Sequence, residues 1–469
     1  MLRLHPRATL AAMLLATLLS AASAARVLAY APQPLGPIAE VQRDTLRFRP
    51  YDPATGRPAD DDSMATQRAA AAFFDSTGHE PLVLPTTVRI DYDPEGEWLR
   101  APVGDGLLDH PDPWNANHPR HSQDIGLALD YNRVDLVRYG LHYQAQRPQT
   151  MYPRLGARIE YATGRKRAQY GVQLEQPLLP TARFVFGVSM VRRTDHPELQ
   201  QVDDAENSLA LLLARTDYRD YWEREGSGVY LSWRVPDFST VSVHARRDEY
   251  RSLDRASHVT SWFNKERDLR ANPAIDDGES HSLLVRLERL AHKDHGTHAG
   301  LYHWMEFDRT GGELGGDFGY MRGLADVRSV LRLSPATSLT IRGVAGSTFE
   351  GTLPRQKRFA LGGVDGLRAH AMGDLEGSQI AMAQAEYTLG LWALRGAGFE
   401  AGLHAIAFVD AGAAWDNPRG RWDVDKQKFT ADGGFGVATS EDDIRLYVAR
   451  DLADPGSPMV WSLRMQRPF

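Results

Sequence analysis

From about Asn132 onward the chain repeats one pattern, short segments in which apolar and polar residues strictly alternate. That period puts successive side chains on opposite faces of a strand, so each segment reads as a β-strand with one apolar and one polar face. Val137, Tyr139, Leu141 and Tyr143 interleave with Arg138, Gly140, His142 and Gln144, and Leu155, Ala157, Ile159 and Tyr161 with Gly156, Arg158, Glu160 and Ala162. The same holds for Tyr170, Val172 and Leu174, for Val229, Leu231 and Trp233, and for Leu283, Val285 and Leu287. Strands are predicted near 134–145, 154–163, 168–176, 182–192, 207–216, 227–235, 239–249, 282–291, 297–307, 319–333, 337–348, 378–390, 399–411, 431–439, 443–450 and 458–467. These make sixteen, an even number of the kind single-chain bacterial outer-membrane barrels use.

Alternation also suits a soluble sandwich, so the choice of membrane comes from what surrounds it. Arg3, His5 and Arg7 precede an apolar run from Ala8 to Leu19 and a small-residue end, Ala22-Ser23-Ala24, which is the layout of a cleavable secretory signal over 1–24. The run is far short of the roughly 20 residues that cross a bilayer. Beyond it, Arg, Asp, Glu or Gln interrupts every apolar stretch, which excludes a helical membrane protein. The chain closes on Arg467-Pro468-Phe469 after an alternating segment, and a terminal Phe469 of this kind resembles the signal by which outer-membrane barrels are recognised for insertion.

The expected fold is therefore all-β: a transmembrane antiparallel β-barrel of sixteen strands over 123–469, with an irregular periplasmic extension over 25–122. The extension is rich in Pro, Asp and Gly, includes Asp60-Asp61-Asp62, and offers one helix at Met64–Phe74 behind Ser63. Inside the barrel, Arg158, Glu160, Glu175, Arg286, Glu288, Arg328 and Arg332 are expected to line a wet lumen. An Arg facing lipid at mid-depth would cost roughly 2–4 kcal/mol. With both termini periplasmic, the long connections near 250–281, 308–318, 349–377 and 412–430 fall outside, and the short ones at 164–167, 236–238, 334–336 and 440–442 inside. Two points strain this count. The 193–206 connection is long for a periplasmic turn, and 207–216 (SLALLLARTD) also suits a helix.

The absence of cysteine removes disulfides and thiolate metal sites, and a net charge of −7 over 469 residues gives no nucleic-acid signal. His292, His295 and His298, and His110, His118 and His121, read as solvated polar turns, so no metal or other cofactor is expected. Asp217 to Trp222 (DYRDYW) reads as an aromatic girdle on an outer loop. No Gly-x-Ser-x-Gly elbow or catalytic triad stands out, so a barrel-borne hydrolase is the least favoured reading and no enzymatic activity is expected.

The most informative stretch is Phe359 to Tyr387, a Gly-rich outer loop running into a strand that ends Ala385-Glu386-Tyr387. It contains Leu361-Gly362-Gly363 and then Leu367-Arg368-Ala369-His370, and a later strand carries Phe408, Asp410 and Gly412 in AIAFVDAGAAW. Together these residues resemble the bacterial surface antigen superfamily, to which the assembly factors BamA and TamA belong. Members have a Leu-Gly-Gly start, a Val-Arg-Gly-aromatic tetrad at the loop tip and a Phe-x-Asp-x-Gly motif on the wall. The resemblance is strongest over 355–469 and includes Gly433-Gly434-Phe435-Gly436. It implies a loop folded back into the barrel, with Arg368 latched on Asp410 beside Phe408 and Gly412. A guanidinium fork on a carboxylate gives a contact of fixed geometry.

Two departures stand out. Ala369 replaces the family glycine and His370 the family aromatic, and 30–122 shows no convincing POTRA repeat, the periplasmic module of members that insert or translocate proteins. The implied function is non-enzymatic: outer-membrane biogenesis, or the insertion or translocation of a polypeptide or lipid. The implied location is the outer membrane, with the extension in the periplasm. Implied partners are outer-membrane lipids and lipopolysaccharide, with a periplasmic polypeptide or lipid as cargo and the barrel itself monomeric. The rival reading is a passive diffusion porin, since general porins also have sixteen strands.

Overall fold

The computed structural model describes residues 39–42, 45–48, 51–52, 57–58 and 122–465, the last span without 147–150, 180–183, 235–238, 290–299, 335, 397–398, 418–421, 440–443 and 455. The expected signal, the helix at Met64–Phe74, both histidine tracts and Phe469 lie outside the described residues. The chain divides into two units, 1–97 and 98–469. The described part of the first consists of two antiparallel ribbons, Ala39–Gln42 with Thr45–Phe48 and Tyr51–Asp52 with Arg57–Pro58.

The second unit is one sixteen-stranded antiparallel sheet in which every strand pairs with the strand next to it in sequence. Its strands are β1 (Ser122–Asn132), β2 (Leu136–Gln146), β3 (Arg154–Ala162), β4 (Arg167–Pro177), β5 (Phe184–Asp195), β6 (Trp222–Arg234), β7 (Thr240–Ser252) and β8 (Gly278–Arg289). They continue as β9 (Gly300–Thr310), β10 (Tyr320–Ser334), β11 (Thr337–Gly351), β12 (Gln379–Gly396), β13 (Phe399–Trp415), β14 (Thr430–Thr439), β15 (Arg445–Asp451) and β16 (Val460–Arg464). No helix among the described residues is long and apolar enough to cross a membrane.

The sheet is inside-out relative to a water-soluble protein. Ile125 is 71 % exposed, Leu127 84 % and Phe435 73 %, while Arg154, Gln173, Asp410 and Asp432 are fully buried. A continuous apolar exterior around a charged interior is stable only where the outside is not water, which defines a transmembrane barrel. Of the expected lumen residues, Glu160, Glu175, Glu288 and Arg328 are buried, Arg158 and Arg286 half-buried, and Arg332 exposed beside a register shift near the end of β10.

Two strand assignments change, and they cancel in the count. The segment 207–216 is not a strand but lies mostly in a helix, α1 (Asp204–Ala214). Asp203 caps it by accepting the Ala205 N–H, Asp204 and Glu206 put negative charge at its positive end, and Arg215 closes it in a left-handed conformation, φ 54°. The other change is β1, which precedes the first expected strand; its inward positions include the small Gly126 and Ala128, which weaken the polar half of the alternation.

Removing one strand after residue 193 and adding one before 134 reverses the sides of the early connections. The turn 163–166 shares a rim with 196–221, 253–277, 352–378 and 416–429, not with the short turns opposite. The long 193–206 connection then disappears as an anomaly, being part of one loop, 196–221, on the rim of the other long loops. The run Asp217–Trp222 is not an aromatic girdle. Asp217, Arg219, Tyr221 and Trp222 are buried, with Arg133 ion-paired to Asp217 at 3.1 Å and lying 5.3 Å over the Tyr221 ring.

The first and last strands are both tied to α1 from the lumenal side. Ser208 Oγ donates to Asp130 at 2.7 Å and accepts from the Tyr131 N–H at 2.8 Å, both on β1. On the other flank Arg464 of β16 donates to Glu206 at 2.6 Å. Among the described residues no ladder joins β16 to β1.

Candidate functional site

The loop 352–378 contains a short ribbon, Phe359–Leu361 against Leu375–Gly377. Between these arms the backbone doubles back through Gly362 (φ +111°) and Gly363 (φ +79°), a left-handed region open to glycine at little cost. A Cβ on Gly362 would sit 2.0 Å from the Ala371 carbonyl oxygen. Phe359, Leu361 and the fully buried Leu367 then pack with Tyr320, Val344, Ile380 and Met382 of the wall. Gly412 is the floor beneath them, with Leu361 Cδ1 2.9 Å from where its Cβ would be.

This packing delivers Arg368 to β12, β13 and β15. Its NH1 lies 3.0 Å from Glu386 Oε2 and its Nε 3.3 Å from Asp410 Oδ2. Its guanidinium carbon sits 4.0 Å from the Phe408 ring centroid and 4.6 Å from that of Tyr447, the two rings meeting edge to face at 87°. Arg368 is thus held by two carboxylates and two aromatic faces, in a place where cation–π attraction is strengthened by desolvation. Asp410 is held from its other side by Gln384 Nε2 at 3.1 Å, and the same amide nitrogen donates to the Gly366 carbonyl at 2.8 Å. Glu386 also accepts from Arg445 NH1 at 2.6 Å and Tyr447 OH at 3.1 Å.

The structure therefore brings together Arg368, Phe408, Asp410, Gly412, Gly362, Gly363 and Leu367. His370 turns away from this cage toward Asp432, Oδ1 of which is 3.3 Å from its Nε2. Sequence reasoning did not assign Glu386, Tyr447, Arg445 or Gln384. Glu386 had a visible signal, since it sits in the Ala385-Glu386-Tyr387 strand end; Tyr447 and Arg445 had none, because nothing local says which strands curl to face the loop.

A second set of contacts joins this loop to 196–221. The Asp365 carboxylate accepts the N–H groups of Gln201 (2.8 Å) and Val202 (3.1 Å), and its other oxygen meets Arg464 at 2.8 Å. Glu198 lies 2.7 Å from both Lys357 and Arg322. Burial raises its pKa, but these two cations outweigh that and hold the carboxyl well below its usual range. Both inward segments are in this way bonded to each other as well as to the wall.

Fold and site together define a sixteen-stranded transmembrane barrel whose lumen holds an inward-folded loop, anchored by an arginine on wall carboxylates. Solved structures similar to this chain include BamA from Haemophilus ducreyi lacking POTRA domains 1–3, at 12% identity and TM-score 0.49 over 73% of this chain and 69% of that one. CdiB from Acinetobacter baumannii is similar at 13% identity and TM-score 0.39, and CdiB from Escherichia coli at 10% and 0.41, each over 74% of this chain. The matched parts cover 59% and 62% of those two CdiB chains. No protein-family model and no curated protein matches the sequence.

Proposed function

We propose that this protein is an outer-membrane barrel of the assembly-factor kind, acting without enzymatic chemistry in membrane biogenesis or in moving a polypeptide or lipid into or through that membrane. In this reading the extension lies in the periplasm, lipid and lipopolysaccharide surround the barrel, and a periplasmic polypeptide or lipid is the cargo. The observation that carries the reading is the Arg368 cage. A passive pore needs its lumen open, whereas here a loop is folded into the lumen and its guanidinium fills a pocket built from β12, β13 and β15. Such a loop is a gate that moves only when a buried ion pair is exchanged for something else. The second working part is the seam between β16 and β1, whose strands meet through α1.

Conductance of the purified protein in planar bilayers, alone and as Arg368→Ala, separates this reading from the porin. The gated barrel is expected to be nearly closed and to open, with noisy steps, in the variant. A large steady pore that is unchanged by the substitution would rule the gate out.

A further inference from the structure

Gln384, Asp410, Asp432 and Asp451 stand in lateral register across β12, β13, β14 and β15, so three aspartates lie side by side on the inner wall. Like charges placed directly opposite one another on neighbouring strands repel. Arg368 pairs with the first of the three; among the described residues no Lys or Arg is ion-paired with Asp432 or Asp451. What faces those two is His370 of the loop tip. Its Nε2 lies 3.3 Å from Asp432 Oδ1 and 3.9 Å from Asp451 Oδ2.

The ring is set up to offer a lone pair there. His370 Nδ1 lies 3.2 Å from Asp374 Oδ2, and a carboxylate can only accept, so the tautomer with its proton on Nδ1 satisfies this contact and presents the Nε2 lone pair to a cation. Asp432 is fully buried; its Oδ2 accepts the Ala369 N–H at 2.7 Å, while its Oδ1 has no hydrogen-bond partner, and neither has His370 Nε2. The other Asp451 oxygen accepts the Ala453 N–H at 2.8 Å. In that tautomer the Nε2 lone pair faces two carboxylate oxygens, a repulsion that a cation between them turns into coordination.

We propose that His370, Asp432 and Asp451 bind one divalent transition-metal ion of the zinc class. The three donor atoms lie within 4.8 Å of one another. An ion about 2.0–2.2 Å from each ligand would space them by roughly 3–4 Å, so small side-chain shifts suffice. One imidazole with two carboxylates favours zinc-like ions over calcium or magnesium, which take oxygen donors. Asp374 is the outer partner that orients a ligating histidine. The bound ion ties the loop tip to β14 and β15, a second anchor two residues beyond Arg368. This inference does not depend on the transport reading.

The test is calorimetric titration of ZnCl2 into the purified full-length barrel after treatment with a chelator, with cobalt(II) absorption as a second readout. One site per chain is expected, weakened at least 100-fold in His370→Ala and in Asp432→Asn. Asp374→Asn, which keeps all three ligands, should weaken binding about 10- to 100-fold, and His258→Ala on an exposed loop should leave it unchanged. Folding of each variant is checked by its β circular-dichroism signal. Failure of the unsubstituted barrel to bind zinc overturns the proposal. Equal binding in folded His370→Ala overturns it as well, by placing the metal elsewhere.

Discussion

The two segments that turn into the lumen, 352–378 and 196–221, are held by different arrangements of charge. The first reaches the wall with one cation and one acid: Arg368 enters a wall pocket of Glu386 and Asp410, and Asp365 meets Arg464 of β16. The second offers acids, and the surroundings supply the cations: Asp204 meets Arg138, Glu206 meets Arg464, and Asp217 and Asp220 meet Arg133. Among the described residues, Arg368 is the one cation of the first segment that is ion-paired to a wall strand, whereas the hold on 196–221 is spread over β2, β16 and the β1–β2 turn. A loop tip seated on one charged side chain can be released by one event, and a segment held at many points cannot. On this reasoning 352–378 is the moving part and α1 the fixed plug that clasps the seam.

The largest effect is expected where the two segments share a cation. Arg464 serves both Glu206 and Asp365, so Arg464→Ala leaves two buried carboxylates uncompensated and should cost about 5 kcal/mol. The denaturant midpoint of the refolded barrel should fall, and protease should cut both segments. Cutting confined to 352–378 would show that α1 does not rely on this residue. Next, Arg368→Ala should cost roughly 3–4 kcal/mol, because Glu386 keeps Arg445 while Asp410 loses its only ion pair among the described residues. Here proteolysis should expose 352–378 alone; release of 196–221 to the same extent would dissolve the distinction between them.

Gly377→Ala tests the ribbon rather than the charge. A Cβ there would lie 2.4 Å from both backbone N and O of Trp415, so the ribbon must lift from β13, at about 1–3 kcal/mol. A thermal midpoint equal to that of the unsubstituted barrel would mean the ribbon is not seated as described. The smallest effect belongs to the fixed plug: Asp203→Ala removes the α1 cap and should cost about 1 kcal/mol without altering conductance.

How much of this could be read from the sequence differs between the same two segments. The strands were legible because outward apolar and inward polar positions recur whatever the local chemistry, as at Leu155–Ala162. The chain 352–378 announced itself through Leu361-Gly362-Gly363 and Arg368, matched by Phe408, Asp410 and Gly412 on the wall. Segment 196–221 carried no such motif. Its apolar Leu209–Leu213 fits a buried strand as well as a helix, and only the acidic first turn behind Asp203 argues for α1. Its ion pairs were illegible for a physical reason: Glu206 and Arg464 are 258 residues apart and meet only once the sheet has curled round. Separation in sequence likewise hid Tyr447 and Arg445 from the Arg368 cage.

The most direct test uses the absence of cysteine from the chain. A single cysteine introduced as Ala369→Cys, next to Arg368 on the partly buried loop tip, reports whether that tip is inside the barrel. Modification by a maleimide-linked polymer, timed in the folded barrel, should be slow in the Arg368 background. It should quicken by at least tenfold when Arg368→Ala is added. Fast modification in both, or slow modification in both, would contradict the claim that this one arginine holds the loop in place.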